Sequence, residues 1–192
     1  KNILVVNANS GKVDVFAASD MSALNGANPS SSLDLAQMLV DADQADALDQ
    51  VGAANSVAVH GSMAAVAVEA DPKTGNGWVV FLNTDTLAYV NAVQVGALPD
   101  MLTFTPDGSK VVVANEGEPD AGFENDPEGS VSVITVADYS VASVDFQAFN
   151  EGGARHSELP TDKMIIDGYS TTAAGSKPTV AQTLEPEYVA IS

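Results

Sequence analysis

The residues best suited to chemistry sit together between positions 115 and 129. They read Asn115-Glu116-Gly117-Glu118-Pro119-Asp120, then Glu124, Asn125, Asp126, Pro127, Glu128 and Gly129. Six carboxylates fall within thirteen residues, with no basic side chain among them. Packed together, such groups repel and raise one another's pKa. A hard divalent cation removes the conflict. Ca²⁺ gathers about six to eight oxygens from carboxylates, amides and backbone carbonyls, commonly on a loop shaped by Gly and Pro. The spacing lacks the alternate-position acids and closing bidentate Glu of an EF-hand. Oxygen-only donors favour Ca²⁺ over Zn²⁺. Two readings stand: a Ca²⁺ loop from Glu116 to Glu128, or a solvated acidic loop between strands.

A second acidic pair, Glu185 and Glu187, flanks Pro186 just before the apolar run Tyr188-Val189-Ala190-Ile191. Glu69 and Asp71 close an earlier apolar run much as Asn115 and Glu116 close theirs, so all these acids are expected at one rim of the fold. The alternative for the Glu185 pair is a strand start whose glutamate joins a local hydrogen-bond network. His60 and His156 lie far apart and make a poor zinc pair. His60 ends a strand, where a structural role and a ligand role are both open. The sequence contains no Gly-x-Ser-x-Gly elbow and no phosphate-cradling Gly-Lys loop. Asp34, Asp41, Asp43, Asp46 and Asp49 read as a solvated face, and Trp78 as core.

The elements that must position these groups recur along the chain. One unit runs Ser56–Gly61, Met63–Glu69, Gly77–Leu82 and Ala88–Val95; the next runs Met101–Pro106, Lys110–Asn115, Gly129–Val136 and Val141–Phe149. Val57 and Leu102 hold corresponding places, 45 residues apart. Each unit has four short runs rich in Val and Phe, with Gly, Asp, Asn or Pro between them, the pattern of strands and tight turns. Asp107-Gly108 is a hairpin turn signal. Four strands every 40–50 residues predict an all-β fold, a β-propeller with four-stranded blades. A β-sandwich is the alternative.

The predicted organisation is a partial propeller over residues 1–192. Residues 1–24 are the end of one blade, with Asn2–Asn7 and Gly11–Phe16 as its second and third strands. Residues 25–54 are an insertion with one short helix near Ser32–Val40, capped by Ser or Asp. Residues 55–97 and 98–150 are complete blades, 151–183 a surface insertion with a possible strand at Lys163–Ile166, and 184–192 the first strand of a further blade. Two whole and two broken blades cannot close a ring, which needs roughly four to eight. The expected partner is therefore the remainder of the same propeller, as the rest of the polypeptide or a second chain.

Composition narrows the function. Twenty-six acidic residues against seven basic ones give a net charge of −19. That field repels phosphate backbones, so no nucleic acid is expected as a partner. No apolar run approaches the length of a membrane span. Cysteine is absent, which removes disulfides, thiolate metal sites and cysteine nucleophiles. Lys1 stands where an initiator Met would, so the chain is expected to be processed or part of something longer.

The wording of several segments is itself informative. Leu98–Gly108, Val113–Pro119, Asp126–Val131 and Leu184–Ala190 resemble the choice-of-anchor I family of secreted bacterial propeller proteins, some of whose members carry an alkaline phosphatase label. More distantly, that family resembles lactonase-type propellers and phytase-type propellers; the latter hold Ca²⁺ on acidic loops. The resemblance implies an exported protein, secreted, extracellular or at the cell surface, with the periplasm as a further compartment. It puts weight on Asn115, Glu116, Glu118, Asp126, Glu128, Glu185 and Glu187 without assigning their roles; the reading of the carboxylates makes them the expected metal ligands, with Ca²⁺ as the expected cofactor. Thr183 departs from the pattern, standing where an acid is expected. The expected function is a binding or structural module; the alternative is a Ca²⁺-dependent phosphomonoesterase whose site is shared with the rest of the ring.

Overall fold

The computed structural model describes residues 1–19, 28–160 and 177–192. Strands β1 (Asn2–Asn7), β2 (Lys12–Ala17) and β3 (Ser31–Asp34) form one antiparallel sheet in that order. After the helix α1 (Leu35–Asp41) come β4 (Val51–His60), β5 (Met63–Ala70), β6 (Asn76–Asn83) and β7 (Tyr89–Ala97), a four-stranded meander. A second meander follows, with β8 (Pro99–Phe104), β9 (Lys110–Asn115), β10 (Ser130–Thr135) and β11 (Val141–Asp145). A single-turn helix α2 (Val180–Thr183) lies near the end of the chain.

The three sheets pack in series, which separates this fold from a two-sheet sandwich. On the middle sheet, Val66, Val68, Val80 and Leu82 face one way and join Val13, Leu35 and Leu39 in one core. Their neighbours Ala65, Ala67, Val79 and Phe81 face the other way and join Leu102, Val111, Val113 and Ile134 in a second. Strands β5 and β6 are thus buried on both faces, as the apolar runs without polar alternation require. Blade-to-blade order is also regular. The second strand of one sheet meets the first strand of the next at β5–β8, and β1 meets β4 in the same way. The chain is part of a β-propeller ring.

Three segments differ from expectation or lie beyond it. Ser31–Asp34 is a strand, not the start of a helix, and supplies the outer strand of the first sheet. It pairs with β2 through Leu33↔Val13 and Ser31↔Val15, a tertiary preference that overrides its weak local pattern. The helix begins one residue later; Asp34 caps it by accepting from Gln37 N at 3.1 Å, and Leu35 and Leu39 are fully buried. Residues 184–192, expected as a first strand, form no ladder among the described residues. The expected strand at Lys163–Ile166 lies outside the described residues.

Candidate functional site

All strand ends that carry the acids lie at one end of the blades, where the β5–β6 and β9–β10 connections meet the inter-blade crossing Ala97–Pro99. Several close backbone approaches build this end. A Cβ on Gly77 would lie 2.6 Å from Pro99 Cδ, and one on Gly96 2.8 Å from Asn115 Cγ. The long β9–β10 connection is anchored at its start by Glu116 N donating to Leu98 O and Gly117 N donating to Ala97 O. Gly117 has φ +72°, and a Cβ there would meet the Glu128 carbonyl at 2.8 Å, so the loop closes on itself through a residue that must be glycine.

A strap from Thr179 to Glu187 crosses the same loop. Gly129 N donates to Ala181 O at 2.9 Å, and Gln182 Nε2 donates to Asp126 O at 2.8 Å. Ala181 is fully buried, and its N–H donates to Asn150 Oδ1 at 2.8 Å. A capping box between Thr179 and Gln182 fixes the turn. The strap passes so close to Gly129 that an added Cβ would sit 1.9 Å from Leu184 O. This contact delivers Glu185 and Glu187 to the acidic end of the blades.

The result is a group of carboxylates drawn from three places. Glu116 is pushed up to about 7, first by burial and then by Glu118, Asp100, Glu185 and Glu187. Asp100 is raised by burial, then by Glu187 and Glu69. Glu185 is raised by burial, then by Glu118, Asp126 and Glu187, with Lys73 acting the other way. Lys73 pairs with Glu118, a contact about half exposed and so weakly stabilising. Among the described residues the rim gathers Asp100, Glu116, Glu118, Glu185 and Glu187, and Lys73 is a cation that partly offsets them.

The sequence-predicted ligands divide. Glu116, Glu118, Glu185 and Glu187 come within electrostatic reach of one another. Asn115 is fully buried and turned into the blade, its Nδ2 donating to Ser132 Oγ at 2.9 Å and Ser130 Oγ at 3.1 Å, while its Oδ1 is buried without a partner. Asp126 is within electrostatic reach of Glu185 and is itself raised by burial and then by Asp120; its Oδ1 is also buried without a partner. Glu128 accepts from Gln147 Nε2 at 2.7 Å. Asp120 turns its carboxylate onto its own loop, accepting from Glu124 N at 2.9 Å and Asn125 Nδ2 at 2.9 Å. Asp100 is a rim residue that the motif reading missed; only the position of β8 beneath the strap brings it in. Among the described residues, no three His, Cys, Asp or Glu side chains converge tightly enough to form a metal-holding group.

The other candidates resolve into structure. Glu69 Oε1 accepts from Ala53 N at 3.1 Å and its Oε2 from Asn55 Nδ2 at 3.3 Å, filling the bulge in β4. His60 packs against Phe104 with centroids 5.9 Å apart. Trp78 is buried in the first core. Asp41, Asp43, Asp46 and Asp49 are exposed.

Comparisons with known proteins bear on the fold and the family. No curated protein matches the chain. Among solved structures, Kuenenia stuttgartiensis hydrazine synthase is similar over 74% of this chain, with a TM-score of 0.50 and 16% identity. The chain spans only 34% of that protein's length, and the likeness is one of fold alone. The β-propeller domain of the Trilobed protease from Pyrococcus furiosus matches over 47% of this chain and 27% of its own, at 14% identity and a TM-score of 0.33. Residues 1–192 match the choice-of-anchor I domain throughout, and the chain belongs to that family.

Proposed function

We propose that this chain is a binding or structural module of an exported protein, acting outside the cell or at its surface, and that its acidic rim takes up Ca²⁺. The observation that carries this reading is the strap's hydrogen bonding to the β9–β10 loop, which brings Glu185 and Glu187 up to Glu116 and Glu118; burial and these neighbours push the Glu116 carboxyl up to about 7. A rim with that potential favours a cation, and its donors are hard oxygens suited to Ca²⁺. Because the carboxylates do not converge as they stand, an arriving ion must draw Glu116 and Glu118 toward Glu185 and Glu187. Binding would then tighten the strap on the β9–β10 loop. The family's description as a choice-of-anchor domain supports a place at the cell surface.

The test is the melting of the intact protein in chelator and in millimolar Ca²⁺, with ionic strength matched. A bound ion stabilises by mass action, about 2.7 kcal/mol at a hundredfold excess over its dissociation constant. Glu116→Gln with Glu185→Gln should abolish that gain. Loss instead through Asp126→Asn with Glu128→Gln would place the ion in the loop. Equal melting of the wild type in both buffers refutes the proposal. Ca²⁺-dependent hydrolysis of a phosphomonoester by the same sample would favour the phosphoesterase over the binding module.

A further inference from the structure

The connection between β9 and β10 contains a peptide bond with chemistry of its own, Asp126–Pro127. An aspartyl carboxylate can turn back on its own main-chain carbonyl and close a succinyl ring, an attack whose nucleophile is always at hand. Proline lacks an N–H, and its tertiary nitrogen leaves as a secondary amine. The fold adds what a free peptide lacks. Asp126 Oδ1 is buried and has no hydrogen-bond partner, so its lone pairs are not tied up. The Asp126 carbonyl oxygen accepts from Gln182 Nε2 at 2.8 Å. That amide is itself held in place: Gln182 Oε1 accepts from Thr179 N at 2.8 Å, and Gln182 N donates to Thr179 Oγ1 at 3.2 Å. A fixed N–H aimed at a carbonyl oxygen is the donor that a developing oxyanion needs. Beyond the bond, Gly129 N donates to Ala181 O at 2.9 Å, so the strap grips the chain on both sides of it.

The chain carries its own control. Asp71–Pro72 is the other bond of this kind in the sequence. Asp71 N donates to Gln50 O at 2.9 Å and Gly75 N donates to Pro72 O at 2.9 Å, but among the described residues no donor reaches the Asp71 carbonyl. Asp71 is also exposed, so water solvates its carboxylate.

We propose that the protein cleaves its own chain at Asp126–Pro127. Asp126 Oδ1 bonds to the Asp126 carbonyl carbon, and Gln182 Nε2 holds the oxyanion that forms. The C–N bond to Pro127 then breaks, and the departing prolyl nitrogen takes a proton from water. The hydroxide left behind opens the cyclic anhydride at Asp126 to a C-terminal aspartate. One water is consumed, and nothing is oxidised or reduced. The cut leaves β9 and β10 paired through Val113↔Ser132 and its neighbours, so the two pieces stay together until denatured. The proposal does not rest on the Ca²⁺ reading and is tested in chelator.

The intact protein is incubated in warm neutral buffer with chelator and protease inhibitors, then denatured and weighed by mass spectrometry. Two products should appear whose masses add to the intact chain plus one water, at a rate independent of protein concentration. Cleavage at Asp126–Pro127 should run at least about tenfold faster than at Asp71–Pro72. Gln182→Leu should slow it at least about tenfold, and Asp126→Ala should abolish it. Each variant is melted first, and one that melts with the wild type reports on cleavage alone. Urea needs no variant: unfolding the wild type should level the two bonds. An intact chain after prolonged incubation overturns the proposal. So do equal cutting at both bonds in the folded protein and a rate untouched by Gln182→Leu, either of which would leave only the ordinary lability of the sequence. Cutting that survives Asp126→Ala would point to a contaminating protease and overturns it equally.

Discussion

Glu116 should make the protein less stable as the pH rises through neutrality. In the unfolded chain its carboxyl loses its proton near 4.5; in the fold it keeps it to about 7. Between those values the native state binds more protons than the unfolded state, so stability falls with rising pH. Below 4.5 both states are protonated and there is no effect; above 7 the full cost is present. At face value the difference is about 3.4 kcal/mol. Solvent reaches this half-buried carboxylate and screens it, which brings the expectation to about 1–2 kcal/mol. Glu116→Gln carries a permanently neutral side chain of the same shape. The variant should therefore match the wild type near pH 4.5 and exceed it by about 1–2 kcal/mol at pH 8, in chelator. Denaturant unfolding of both proteins across that range, at constant ionic strength, reads the difference directly. Parallel pH profiles for wild type and Glu116→Gln would show that the carboxylates of the rim do not act on Glu116, and the electrostatic case for cation uptake would fall with them.

Three further expectations follow from close contacts and open edges. Gly108→Val should destabilise the intact protein by about 2–3 kcal/mol, because φ is +70° and a Cβ would lie 2.2 Å from His60 Nδ1; unchanged melting would mean that the hairpin and its His60 contact are not as described. Gly129→Ala should lift the strap, since its Cβ would lie 1.9 Å from Leu184 O; faster proteolysis near Glu185 with the blade cores still protected from hydrogen exchange is the expected signature, and an unaltered cleavage rate would contradict it. Residues 1–192 expressed alone should aggregate or unfold without cooperativity, because the inner edge of β1 is unpaired and Val144 on the outer strand β11 is 55% exposed; a soluble monomer with a sharp transition would refute this.

What the sequence made legible follows from where the information is local. The two complete meanders could be read because each apolar run is short, bounded by turn residues and repeated at matching positions. The β8–β9 turn is a case in point: Asp107 accepts from Thr105 Oγ1 at 2.6 Å and Ser109 Oγ at 2.8 Å, which, with the Thr105 bond foremost, holds its carboxyl down to about 2. All of that chemistry sits within five residues. Strand β3 was not legible, because Ser31-Ser32-Leu33-Asp34 has one apolar residue and is a strand only through its register with β2.

The candidate site shows the same limit more sharply. Counting carboxylates along the chain groups Asp120 and Glu128 with Glu116, yet each of the two turns to partners of its own. Asp120 satisfies backbone N–H groups of its own loop, and Glu128 turns toward Gln147. What gathers instead is Asp100 from the start of β8, Glu116 and Glu118 from the end of β9, and Glu185 and Glu187 from the strap. Their proximity depends on Gly129 lacking a side chain and on Ala181 being buried beside it. Neither residue carries any chemistry, so no motif built on reactive groups would single them out. The charge of the rim is written in the sequence, but its location is set by small residues that let the strap and the blades approach.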